Sequence, residues 1–149
     1  MMTEQLANFN TPFFSLYENM YLVLQETYGK NEALSLFKKI MIKGLKKAYD
    51  AISFQRGNPK SFQEVITARD NSVGLIVNFP EVKDNKIVYQ LCMDPFANLK
   101  GIVGHDLLDS TYIDFKIEYL LGNAWFYNTT KHFWNGDKCI EFVIQKKSN

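Results

Sequence analysis

Phe14, Tyr17, Met20, Tyr21, Leu24 and Tyr28 recur at three-and-four spacing, the period of a helix that buries one face. Thr11 and Pro12 offer the N-cap and first-turn residue of this helix, and Gly29 offers its stop. A second stripe, Leu34, Phe37, Met41, Leu45, Ala48 and Ile52, predicts another helix capped by Asn31. Lys38, Lys39, Lys43, Lys46 and Lys47 fall largely outside that stripe, as a solvated outer face requires. The two helices should pack as a hairpin. Gly57 and Pro59 break the pattern, and Ser61 with Glu64 form a capping-box pair ahead of Phe62, Val65 and Ile66. This predicts a short third helix ending near Asn71.

The period then changes. Residues 73–79 are rich in β-formers and residues 87–93 alternate, with Asp84 and Asn85 as turn formers between them. Residues 94–104 read as an irregular loop holding a helical turn around 96–99, the kind of segment that borders a site. Leu107, Leu108, Thr111, Tyr112, Phe115, Tyr119 and Leu120 predict a fourth helix stopped at Gly122, with Asp109, Asp114 and Glu118 on its polar side. Residues 124–134 and 139–145 read as strands joined by Asn135 and Gly136, a strong two-residue hairpin signal that would set His132 opposite Cys139. The fold class that follows is α+β, with a helical hairpin and further helices packed on an antiparallel sheet of about four strands.

Composition narrows the class without changing it. At 149 residues the chain fits one domain, 1–149, and a net charge of +1 gives no field that would gather nucleic acid or anionic lipid. Residues 1–10 carry neither a basic leader nor an apolar run, and no stretch is long enough to span a membrane. A cytoplasmic protein with no membrane partner is the expectation. Aromatic residues make up 15%, and rings of that size favour a core able to enclose a pocket for a small-molecule ligand.

No phosphate loop, dinucleotide fingerprint, nucleophile elbow or metalloprotease helix is present, and no cofactor is expected. His105, Asp106, His132 and the two cysteines match no local metal-ligand spacing and would need tertiary convergence, so no metal is expected either. The candidate chemistry lies late in the chain. Asp114 on the fourth helix, with Thr130, Lys131, His132 and Cys139 on the hairpin, would bring an acid, an imidazole and a thiol together. Cys92, beside Asp94 and Pro95, could serve as a nucleophile if a neighbouring cation lowered its pKa.

The order Asp114, then Thr129, Thr130, Lys131 and His132, then Gly136, Asp137, Cys139, Glu141 and Phe142 resembles the family of L-2-amino-thiazoline-4-carboxylic acid hydrolases and their small relatives. More distantly it is similar to the vinyl-4-reductase-like ligand-binding domains. It departs from the family pattern where Thr129 replaces an Arg, His132 replaces a Thr and Glu141 replaces an Asp. The resemblance implies hydrolysis of a small cyclic amide-like C–N bond, with Asp114 or His132 activating water and Lys131 steadying negative charge. Thr130, Cys139, Tyr112, Trp134 and Cys92 complete the expected substrate contacts. The alternative it implies is a non-catalytic binding domain with an aromatic-lined cavity, pairing as a homodimer through the first two helices.

Overall fold

The computed structural model describes residues 9–148. Residues 1–8, part of the segment read above for a leader, lie outside the described residues. Helix α1 spans Thr11–Tyr28, and its cap is Asn10 rather than Thr11: the Asn10 side chain accepts the backbone N–H of Phe13 at 3.1 Å. Gly29, at φ +84°, ends α1 and also caps α2, Lys30–Asp50, so Asn31 is already helical. That positive φ suits glycine, and it folds α1 back onto α2. The hairpin is tight at Gly44, where an added Cβ would stand 3.2 Å from the Tyr17 hydroxyl.

Helix α3 is Pro59–Ser72. Its cap is not the Ser61–Glu64 pair. Pro59, with no N–H to lose, starts the helix, and Asn58 accepts the Ser61 N–H at 3.0 Å. Ser61 Oγ instead accepts the N–H of Gln55 at 2.8 Å and ties down the incoming loop.

The sheet is antiparallel throughout, in the order β1-β2-β4-β3. Strand β1 is Val77–Lys83, displaced toward the C-terminus from the expected 73–79, with a register shift between Asn78 and Glu81 around Pro80. Proline costs no ladder bond on an edge strand, so β1 runs through it. Strand β2 is Lys86–Leu91, β3 is Trp125–Lys131 and β4 is Ile140–Lys146. Because β4 lies between them, β2 and β3 run the same way, and α4, His105–Leu120, is the crossover that joins them.

Helix α4 packs against α2 on one side and β3 on the other. The expected polar side of α4 is therefore partly inside: Asp109 is only 3% exposed, and Lys116, which was not read on that side, is equally buried. The core between helices and sheet is built from Phe37, Tyr49, Phe62, Ile66, Tyr89, Ile113 and Phe142. No helix among the described residues is long and apolar enough to cross a membrane.

The β3–β4 connection differs most from expectation. Residues Phe133–Asn135 form a 3-10 turn closed by Gly136 at φ +93°, so the joint is longer than a two-residue hairpin. His132 organises it. Its carbonyl accepts from Asn135 and Asp137, its N–H donates to Asp137 Oδ2, and its Nδ1 accepts the Trp134 N–H. His132 consequently does not face Cys139. The β2–β4 ladder ends at Leu91 and Ile140, and Cys92 and Cys139 are the residues that immediately flank that last pair.

Candidate functional site

Two turns of α4 and the joint after β3 build a buried polar cluster. His105 and Asp109 are four residues apart and share a helix face. His132, 1% exposed, arrives from the end of β3 and stacks on His105 with ring centroids 4.1 Å apart and planes 20° from parallel. His132 Nε2 stands 3.0 Å from Asp109 Oδ2. The approach is off the line of the ring N–H, so that carboxylate oxygen, though buried, accepts no well-directed hydrogen bond. The other oxygen of Asp109 takes the Tyr112 hydroxyl at 2.9 Å. Trp134 stands edge-on to both imidazoles and donates its indole N–H to Asp94 at 2.8 Å, which pins the 94–104 loop to this joint.

His132 is poorly placed as a general base. Its Nδ1 lone pair is held by the Trp134 N–H at 3.0 Å, so the neutral ring carries its proton on Nε2, toward Asp109.

A second buried group lies one turn along α4. Lys116 Nζ contacts the Tyr89 hydroxyl at 3.1 Å and Asp70 at 3.5 Å, and Tyr89 donates to Asp70 at 2.5 Å. Burial lowers the Lys116 pKa, against the pull of Asp70. Burial together with Asp70 raises that of Tyr89 well above its ordinary value, and burial with Asp109 does the same for Tyr112.

Asp70, Lys116 and Tyr112 are the innermost lining of an apolar cleft between the helices, walled by Phe13, Phe14, Tyr17, Leu45 and Phe96. Room for water-sized occupants within it is about 40 Å³, enough for small groups but below the several hundred Å³ of a site open to a drug-sized compound. At the cleft Arg69 lies against the Phe13 ring, 5.6 Å from its centroid, and has no ion-pair partner among the described residues.

The residues expected from the sequence divide into three places. Tyr112, His132 and Trp134 meet around Asp109. Thr130 and Lys131 end β3 beside Glu141, while Cys92 lies just past β2 and Cys139 just before β4. Thr130 donates to Glu141 at 2.7 Å, Gln90 donates to it at 2.6 Å, and Lys131 is 3.8 Å away. Asp114 is in neither group: it accepts the Tyr127 hydroxyl at 2.8 Å and faces Lys38 at 3.7 Å. The expected constellation of Asp114, Lys131 and His132 is thus not assembled.

Burial raises the pKa of both thiols. Cys139 adds to the rise at Cys92, and at Cys139 burial outweighs the opposing Lys131, so no neighbouring cation lowers either thiol below its ordinary value.

Sequence reasoning gave no role to Asp70, Arg69 or Lys116, read Asp109 only as part of the polar side of the fourth helix, and weighed His105 with His132 only as a metal set that would need tertiary convergence. The one local signal was the i,i+4 spacing of His105 and Asp109 on a helix; their convergence with His132 depends on the crossover. Compared with known protein families, with curated proteins and with solved structures, the chain finds no match in any of the three.

Proposed function

We propose that this protein is a small-molecule-binding domain that takes a compact apolar or aromatic organic anion into the cleft between its helices. The observation that carries this reading is Arg69: a half-buried guanidinium at an aromatic-walled cleft, held on the Phe13 ring, with no carboxylate within ion-pair distance among the described residues. Arginine suits a planar carboxylate because its donors form a fixed fork. Asp70 and Lys116 already satisfy each other, so they offer the ligand a hydrogen-bonded floor rather than a net charge. The small volume means that Phe13 and Tyr17, both only half-buried, turn aside as the ligand enters.

Thermal-shift titration with benzoate, phenylpropionate and medium-chain fatty acids, each beside its neutral amide, tests this. Acids should stabilise the wild type more than amides do, and Arg69→Gln should remove the difference. Equal shifts for acid and amide, or an unchanged difference in the variant, would contradict the reading. A homodimer through the helical hairpin belongs to the same proposal, supported by exposed Leu16, Val23 and Tyr28 on α1. A monomer in sedimentation equilibrium would remove that part.

Hydrolysis of a cyclic C–N bond is the second reading, and the observation that favours it is the buried Asp109 oxygen without a well-directed donor beside two imidazoles. An assay on thiazoline and cyclic-amide substrates, with Asp109→Asn abolishing turnover, would support it. Absence of turnover in the wild type would end it.

A further inference from the structure

We infer that His105, Asp109 and His132 form a binding site for one divalent first-row transition-metal ion, with zinc as the natural probe. One ligand-type atom from each residue lies within 4.8 Å of the others. A tetrahedral shell with bonds of about 2.0–2.2 Å needs ligand atoms roughly 3.3–3.6 Å apart, so the set closes when one imidazole rotates out of the His105–His132 stack to aim its lone pair at the shared point. His132 Nε2 and Asp109 Oδ2, at 3.0 Å, are already that close.

The independent sign of a missing ligand is Asp109. It is 3% exposed, one oxygen is occupied by Tyr112, and the other is buried without a well-directed donor. A buried carboxylate oxygen left in this way is costly unless a cation completes it. Two imidazoles and one carboxylate suit zinc or iron(II) rather than calcium or magnesium, which prefer all-oxygen shells. With three protein ligands the ion keeps open coordination positions, the pattern of a reactive rather than a purely structural site.

The surroundings permit entry. His105 is 20% exposed and forms the outer wall. Asp106, whose side chain is 80% exposed, stands 3.0 Å from His105 Nδ1, and the Asn135 amide stands 3.2 Å from His105 Nε2. Both neighbours can turn toward solvent or reverse, leaving either nitrogen for the ion and an acidic partner to orient the ring.

At His132 the ion takes Nε2. The proton there moves to Nδ1, which gives up the hydrogen bond from the Trp134 N–H, so no net proton is released by the tautomer change. Binding therefore has a local signature at the Trp134 backbone amide.

Zinc chloride titrated into the full chain, after removal of adventitious metal with a chelator, tests the inference by calorimetry and by amide NMR. One equivalent should bind, the Trp134 amide should shift, and His105→Gln, a change at the outer wall, should weaken binding by about a hundredfold. Asp109→Asn should abolish it. The Cys92→Ser/Cys139→Ser double variant should bind as the wild type does. Circular dichroism establishes that each variant is folded, and His105→Gln alone decides the matter if Asp109→Asn does not fold. Absence of one-equivalent binding in the wild type, binding indifferent to His105→Gln, or binding lost with the cysteines would overturn it.

Discussion

Tyr112 donates its hydroxyl to Asp109 at 2.9 Å while its ring forms part of the wall of the helix-lined cleft. One side chain thus joins the apolar cleft to the imidazole cluster. Both ends are buried, so the bond is made away from water, and its loss would leave a carboxylate with neither oxygen well served.

Replacing Tyr112 with Phe keeps the ring and removes the donor. The expected cost is roughly 1–3 kcal/mol, the penalty of an unsatisfied buried acceptor. Urea denaturation of wild type and variant measures it, and equal midpoints would show that the hydroxyl does not matter.

Lys116 and Asp70 should behave as a unit. Lys116→Met strands the Asp70 carboxylate with Tyr89 alone and should cost roughly 3–5 kcal/mol, whereas the double change Lys116→Met/Asp70→Leu should recover much of that loss. A double-mutant cycle in urea reads the coupling. Additive effects would mean that the pair is not coupled.

Gly136 closes the 3-10 turn at φ +93°, with open space where a Cβ would project. Gly136→Val should therefore destabilise through backbone strain alone, by about 1–2 kcal/mol, and Gly136→Asn should cost less. Melting temperatures of the two variants check the order.

The acid limb of stability should report Glu141. A hydrogen bond from Thr130, followed by burial acting the other way, then Gln90 and Lys131, leaves its carboxyl below the usual range. A folded-state pKa below the unfolded one adds stability above the unfolded value, about 4.3, and that stability is lost as pH falls through the folded value. Glu141→Gln should thus reduce stability at neutral pH and flatten its decline in acid. Chemical denaturation at pH 3 to 7 tests both, and parallel curves for the two proteins would contradict the assignment.

The helices were legible because Phe14, Tyr21, Phe37 and Leu45 keep helical spacing and Gly29 and Gly122 adopt the positive φ that ends their helices. The antiparallel sheet was legible from alternation, and Asn135 and Gly136 marked where the chain turns between β3 and β4, though not the longer 3-10 form of that turn. The boundaries of β1 were not, because Pro80 reads as a breaker unless the strand is known to be an edge. The site was hidden for a different reason. Asp109 was read onto the polar side, and Lys116, four residues from both Tyr112 and Leu120, was passed over because of its charge; α4 is buried between α2 and the sheet, and both side chains go with it. His132 was singled out from the sequence as part of the hairpin, but the 3-10 turn it organises removes it from the hairpin ladder and turns it toward Asp109.

The most direct test of ligand binding in the cleft is an amide NMR titration of the full chain with phenylpropionate. Shifts are expected at Phe13, Phe14, Tyr17, Arg69, Phe96 and Tyr112, with loss of affinity in Arg69→Gln. No saturable shifts, or shifts confined to the face around Glu141, Thr130 and Cys139, would contradict the account.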